Sequence, residues 1–258
     1  MTEQAKEFVG EDLSGARFRK VHLNGAQFRL VDLSGVTMRD VSLAGAALEG
    51  EIDGLRVNGV EVEPLIEAEL TRRNPGRAWR TATGPDGLRD AWAALERSWA
   101  AIGQRAAAVP AEALDVSVQG EWSFVQTLRH LVFVTDAWLG AIRGESQPFH
   151  PWGLPFTDLP EFTGRPVQAL GIDPDARPSY PEVVELRADR VARVRQFLAE
   201  LTPEGMGAEV EGPVWAEGQR SSVHRCLRVI FNEECEHLRF AERDLDVVSE
   251  LPPARPAT

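Results

Sequence analysis

The chain has 258 residues, a formal net charge of −12 and only two cysteines. That length suits one large domain or a small module joined to a medium one, and the acidity excludes a nucleic-acid face built on bulk positive charge. Cys226 and Cys235 lie nine residues apart on opposite sides of a continuous helix, too far apart to bridge, and read as reduced cytosolic thiols in the core.

The N-terminal segment MTEQAKEFVGEDL has no apolar signal core, and no apolar run approaches the roughly 20 residues that span a bilayer. The expectation is a cytoplasmic protein with no membrane and no nucleic-acid partner. Lys6 and Lys20 are the only lysines and alanine is abundant, a composition that suggests a GC-rich bacterial source.

From Phe8 every fifth residue is large and apolar: Leu13, Phe18, Leu23, Phe28, Leu33, Met38, Leu43 and Leu48 follow. Two residues before most of them sits a small or β-branched side chain, as at Ala16, Val21, Ala26, Val31 and Ala46. A period of five fits neither a helix nor an alternating strand, but it fits a square coil that turns one large and one small side chain inward on each side. These residues resemble the pentapeptide-repeat family, which implies a right-handed quadrilateral β-helix over residues 6–62. Only a little over two coils can be built, and Lys6 and Glu11 break the small-residue position at the start. The segment reads as a structural appendage or dimerisation element.

Residues 63–84 read as a short helix and a linker, with Asn74-Pro75-Gly76 as the breaker. Four longer amphipathic helices follow. The first, about 86–108, carries Leu88, Trp92, Leu95, Trp99 and Ile102 at three- and four-residue spacing. The second opens at a capping box, Ser123 with Gln126, and runs to about Gly144; the third opens near Ser179 with Glu182 as its box partner. The fourth runs from about Ser221 to Ser249, leaving residues 249–258 as a flexible tail. Four such helices predict a mainly α four-helix bundle over residues 85–248. Between the second and third lies a proline-rich segment, 145–178, whose Phe149, Trp152, Phe156 and Phe162 can anchor it. It reads either as a crossover packed on one end of the bundle or as a lid.

On the last helix Glu233 and His237 are about 40° apart, and Asp244 returns to the same stripe. His130, early in the second helix among Leu128, Leu131, Val132 and Val134, needs a polar partner from another helix. His22 lies at an outward repeat position, and His224 points away from His237. His130, Glu233 and His237 together would supply two imidazoles and a carboxylate, the donor count of an open divalent site. A satisfied histidine–glutamate pair remains the alternative. Glu234 and Glu236 flank this stripe and read as solvated or as outer support.

The stretches EWSFVQTLRHLVFVTDAWLG and HRCLRVIFNEECEHLRFAERDL, in this order across a proline-rich crossover, resemble the DinB/YfiT superfamily of metal-binding four-helix bundles. The resemblance implies a metal held by one histidine on the second helix and two on the last. His130 matches the first and His237 the final one; Glu233 stands where the family usually has a histidine. That departure either keeps a harder, more anionic site or marks a lost one. The resemblance further implies a divalent ion (Zn, Ni, Mn or Fe) and a transferase that activates a low-molecular-weight thiol, mycothiol first, against a small electrophile. The rival reading is a non-enzymatic stress-response or protein-interaction module in which the site is structural. A homodimer is left open.

Overall fold

The computed structural model describes residues 6–250, apart from Leu30, Glu49, Glu51 and Glu217; the side chain of Phe162 and residues 251–258 of the expected tail lie outside the described residues. The chain divides into two compact units, Met1–Glu51 and Ile52–Thr258.

In the first unit the five-residue period is written into the backbone. Positive φ recurs at Gly10, Gly15, Lys20, Gly25, Gly35, Asp40 and Gly45, and tight turns close from Ala16 to Leu13, Ala26 to Leu23, Val36 to Leu33 and Ala46 to Leu43. Asp12 and Asp32 each accept a hydrogen bond from the backbone N–H two residues on, which favours these turns. The expected β-helix is not formed, however. Among the described residues no strand precedes Arg56, and every described residue from Lys6 to Leu48 is exposed. The apolar ladder, from Phe8 to Leu48, is 41–64% exposed. Stacked repeats bury their side chains only against neighbouring coils, and a segment of a little over two coils supplies almost none.

The second unit begins earlier than the repeat pattern suggests. β1 (Arg56–Val57) and β2 (Val60–Glu61) form a hairpin across Asn58-Gly59, where both residues have positive φ, the backbone setting of a type I′ turn. α1 (Glu63–Arg73) buries no side chain, but the 3₁₀ helix Pro75–Thr81 after it buries Arg77 and Trp79. The stretch read as a linker is therefore packed structure.

Four long helices make the body: α2 (Pro85–Ala106), α3 (Phe124–Arg143), α5 (Tyr180–Glu200) and α7 (Val223–Val248). α2 and α3 each pack against both α5 and α7, which closes a four-helix bundle. Capping chemistry sets two of the starts. Ser123 accepts from the Gln126 N–H while the Gln126 side chain accepts from the Ser123 N–H, and Glu182 accepts from the Ser179 N–H. Gly144, with φ of 65°, ends α3 in the left-handed conformation.

α3 is buried nearly all round because the crossover covers the face that α5 and α7 leave open. Gly140 lets Pro148 approach to a distance at which an added Cβ would clash, at 2.4 Å. α4 (Leu159–Thr163) lies within the crossover, where Leu159 and Ile172 are buried with Phe133 and Val134, and Phe149 and Phe156 pack beside them. Beyond α5, a short α6 (Pro203–Met206) and a hairpin of β3 (Glu209–Glu211) and β4 (Arg220–Ser222) lead into α7. No described helix is long and apolar enough to cross a membrane.

Candidate metal centre

Three side chains from two helices converge inside the bundle. His130 comes from α3, and Glu233 and His237 sit one turn apart on α7. One donor atom from each can be chosen so that all three lie within 4.8 Å of one another. Glu233 Oε2 is 3.5 Å from His130 Nε2 and 3.2 Å from His237 Nε2. Metal–ligand bonds of ~2.0–2.2 Å place neighbouring donors about 3.4 Å apart in a tetrahedral shell, so Glu233 already stands at coordination spacing from both imidazoles. The imidazole side chains are 7% and 12% exposed and the Glu233 side chain 30%, which makes the carboxylate the side of the cluster that meets solvent.

The crossover fixes the orientation of His130. Its Nδ1 lies 2.9 Å from the carbonyl oxygen of Leu154. A carbonyl can only accept, so Nδ1 carries a proton, and Nε2 is left facing Glu233. This is the outer support by which metal-binding histidines are held. The Leu154 corner is itself clamped to α3: the Leu154 N–H donates to the Arg129 carbonyl at 3.1 Å, and Arg129 Nε donates to the Trp152 carbonyl at 2.9 Å. About two turns further along α3, Asp136 accepts from the His150 N–H and from Arg190 of α5, joining crossover, α3 and α5.

Electrostatics match the geometry. Burial pushes the Glu233 carboxyl up, but hydrogen bonds and charge from His130 and His237 outweigh it and hold the group at about 2. Burial pulls His237 below its ordinary value despite the neighbouring carboxylate. At neutral pH the cluster thus presents an ionised carboxylate and an unprotonated His237. His237 Nδ1 is buried with no hydrogen-bond partner among the described residues. The donor set, its spacing and the support of His130 fit a divalent ion.

The neighbours of the triad depart from the sequence reading. Glu234, expected to be solvated or supporting, is 1% exposed and forms an ion pair with Arg187 of α5 inside the bundle. The Arg187 guanidinium also lies over the Trp99 ring of α2, 6.0 Å from its centroid. Being one residue on from Glu233 turns Glu234 into the core, where a charge requires a partner. Glu236 binds Arg77 of the 3₁₀ helix at 2.7 Å. Asp244 is buried and held by Arg243 at 2.7 Å; it takes no part in the triad. His22 is exposed, and His150 belongs to the crossover, where its Nδ1 accepts from the Trp152 N–H. Both cysteines are free and buried.

Trp122 was not singled out from the sequence, yet its ring lies 4.4 Å from that of His130 and stacks at 5.9 Å on His237. Its place next to the Ser123 cap, outside the helix and so outside its periodic stripe, hid it. Phe240, one turn beyond His237, borders the other side at 5.8 Å. The supporting carbonyl of Leu154 carries no side-chain signature at all.

Comparison with known families matches the DinB superfamily over residues 94–241 and eight copies of the pentapeptide repeat over residues 12–50. No curated protein and no solved structure matches the chain. The superfamily match spans more than half of the sequence and contains His130, Glu233 and His237 on its second and last long helices: the chain belongs to the DinB superfamily.

Proposed function

We propose that the protein is a divalent-metal-dependent transferase that activates a low-molecular-weight thiol, mycothiol first, for attack on a small electrophile. The observation that carries this reading is the convergence of His130, Glu233 and His237, with Glu233 at coordination spacing from both imidazoles and His130 oriented by the Leu154 carbonyl. A divalent ion held by these three would lower the pKa of a bound thiol.

The chain's own residues supply the rest. Leu154 keeps the His130 proton on Nδ1, Glu233 brings negative charge, and Trp122 covers both imidazoles against water. The protein offers no thiol of its own for the work. Burial pushes Cys235 up to about 12 and Cys226 also upward, so neither ionises at neutral pH, and the nucleophile is assigned to a cosubstrate. Cytoplasmic placement is part of the same proposal, because such thiols are kept reduced there.

The test uses wild type, Glu233→Gln and Glu233→His, with metal content, melting temperature and thiol consumption measured on the same samples. Wild type should retain about one Zn, Ni, Mn or Fe ion per chain. Glu233→Gln should retain less, Glu233→His should recover binding, and thiol consumption should follow metal content. Wild type that loads metal yet accelerates thiol consumption with no member of a broad electrophile panel would replace this reading with a structural site in an interaction module.

A further inference from the structure

We infer that His150 is a positioning residue for the metal centre. As an unprotonated acceptor of the Trp152 N–H it sets the crossover corner from which the Leu154 carbonyl aims His130, and it makes that aim sensitive to pH. The inference rests on the reading of His130, Glu233 and His237 as metal ligands.

The corner, residues 150–154, lies outside helix and strand, so individual hydrogen bonds hold it. The His150 N–H donates to Asp136 Oδ2 of α3 at 2.9 Å, and the His150 carbonyl accepts from the Gly153 N–H at 2.9 Å. The Pro151 carbonyl accepts from the Asp173 N–H, and the Trp152 carbonyl from Arg129 Nε. Leu154 makes the last step, its N–H on the Arg129 carbonyl and its own carbonyl on His130 Nδ1. Space is short as well: a Cβ at Gly153 would meet the His150 carbonyl at 3.2 Å and the Phe133 side chain at 3.4 Å. The Leu154 carbonyl therefore points where these bonds put it.

One bond of the set differs in kind. The Trp152 N–H donates to His150 Nδ1 at 3.1 Å; an amide N–H can only donate, so Nδ1 is bare and the neutral ring carries its proton on Nε2. A doubly protonated ring would set N–H against N–H and release the corner. Imidazole is the side chain whose charge ordinarily changes between about pH 5 and 8.

The charged neighbours act on this equilibrium from each side. From α3, Asp136 faces the His150 backbone; from α5, Arg190 and Arg193 reach Asp136 at 2.8 and 3.8 Å. Within the crossover, Glu145 is held by Arg193 at 2.7 Å and the Asp173 carboxylate accepts from the Asp175 N–H. Burial and Arg190 outweigh Asp136 and hold His150 below its ordinary value, which keeps the acceptor bare at neutral pH. Mild acid removes it.

The experiment compares wild type, His150→Asn and His150→Leu as full-length chains. Asn offers Oδ1 as an acceptor where Nδ1 stood and does not protonate, whereas Leu offers no acceptor. Zinc affinity is read by competition with a chelating dye at about pH 7.5 and about pH 5.5, either side of the ordinary imidazole value, with far-UV circular dichroism as the check on the helices. At the higher pH, His150→Leu should bind zinc about 10-fold more weakly or worse, the usual cost of lost outer support, while His150→Asn stays within about 3-fold of wild type. At the lower pH all three lose affinity as the ligand imidazoles take up protons, but wild type should lose several-fold more than His150→Asn. A second readout needs no variant: in the isotope-labelled wild-type chain the Trp152 and Leu154 amide resonances should shift together over the same pH range. The inference is overturned if folded His150→Leu binds zinc like wild type, if His150→Asn falls as far as His150→Leu, or if the two amides stay still. Wild type that takes up no zinc ends the metal reading and this role with it; moving amides would then locate the failure in the metal, and still amides in the corner.

Discussion

The two units carry apolar periodicity of similar regularity and treat it in opposite ways. In the helical unit, residues three and four apart line one face, and each long helix finds two others to receive it; Leu88, Leu227, Ile230 and Phe231 are 0% exposed. In the repeat unit the five-residue period sets the backbone just as firmly, yet its ladder stays open to solvent. Periodicity decides which side chains share a face. Burial needs a second surface of matching shape, which four helices provide for one another and two coils do not.

The sharpest way to break this comparison is to truncate one aromatic in each unit. Phe231, packed against Trp79 and Trp92, should cost about 3–5 kcal/mol as Phe231→Ala. Phe18→Ala should change the urea midpoint of the helical unit by no more than ~0.5 kcal/mol equivalent, since an exposed side chain has little burial to lose. A comparable loss from Phe18→Ala would mean that the two units unfold as one.

Next in size is the ion pair across the bundle. Glu234→Ala strands the Arg187 charge in the core and should cost about 3 kcal/mol or more in chemical unfolding. The exposed Arg72–Glu69 pair of α1 should contribute under ~1 kcal/mol, and Glu69→Ala is its control. Equal effects would show that desolvation is not what separates core from surface here.

The smallest effect is a pH dependence confined to the metal-free helical unit. Glu233 is held at about 2 against an ordinary carboxyl near 4.5, so its contribution is complete above about pH 4.5 and is lost as pH falls toward 2. His237 is depressed below 6.5, so the unfolded chain takes up that proton first, and stability declines as pH falls below about 6.5. Both groups make the apo protein less stable in acid. Glu233→Gln should flatten the part between about 4.5 and 2, by on the order of 1–3 kcal/mol across the window, in urea midpoints recorded against pH. An unchanged acid limb would remove Glu233 as its source.

The four helices and their start signals were legible because amphipathic spacing and capping boxes are local. Ser123 with Gln126 and Ser179 with Glu182 announce α3 and α5 within four residues. Glu233 and His237 were legible as a pair for the same reason, since one helical turn forces them together. His130 was joined to them by the expectation that a bundle turns buried polar side chains toward one another from facing helices, and the family resemblance strengthened that grouping, because nothing local says which helix faces α7. Glu234 was misread because its direction is legible while its surroundings are not: a carboxylate turned inward looks the same in a sequence whether or not Arg187 is waiting for it.

What the amino-acid order determined by itself, then, is whatever depends on neighbours within a turn or two: the five-residue backbone repeat, the helix limits, the Asn58-Gly59 hairpin, and the shared face of Glu233 and His237. The tertiary structure decided what depends on long-range contact. It brought His130 to that face, placed the Leu154 carbonyl behind its ring and Trp122 over it, turned Glu234 toward Arg187, and left the repeat ladder exposed. The physical reason is common to all of these: φ/ψ preferences and capping bonds are settled within a few residues, whereas burial and ion pairing are properties of surfaces that meet only after the chain has folded.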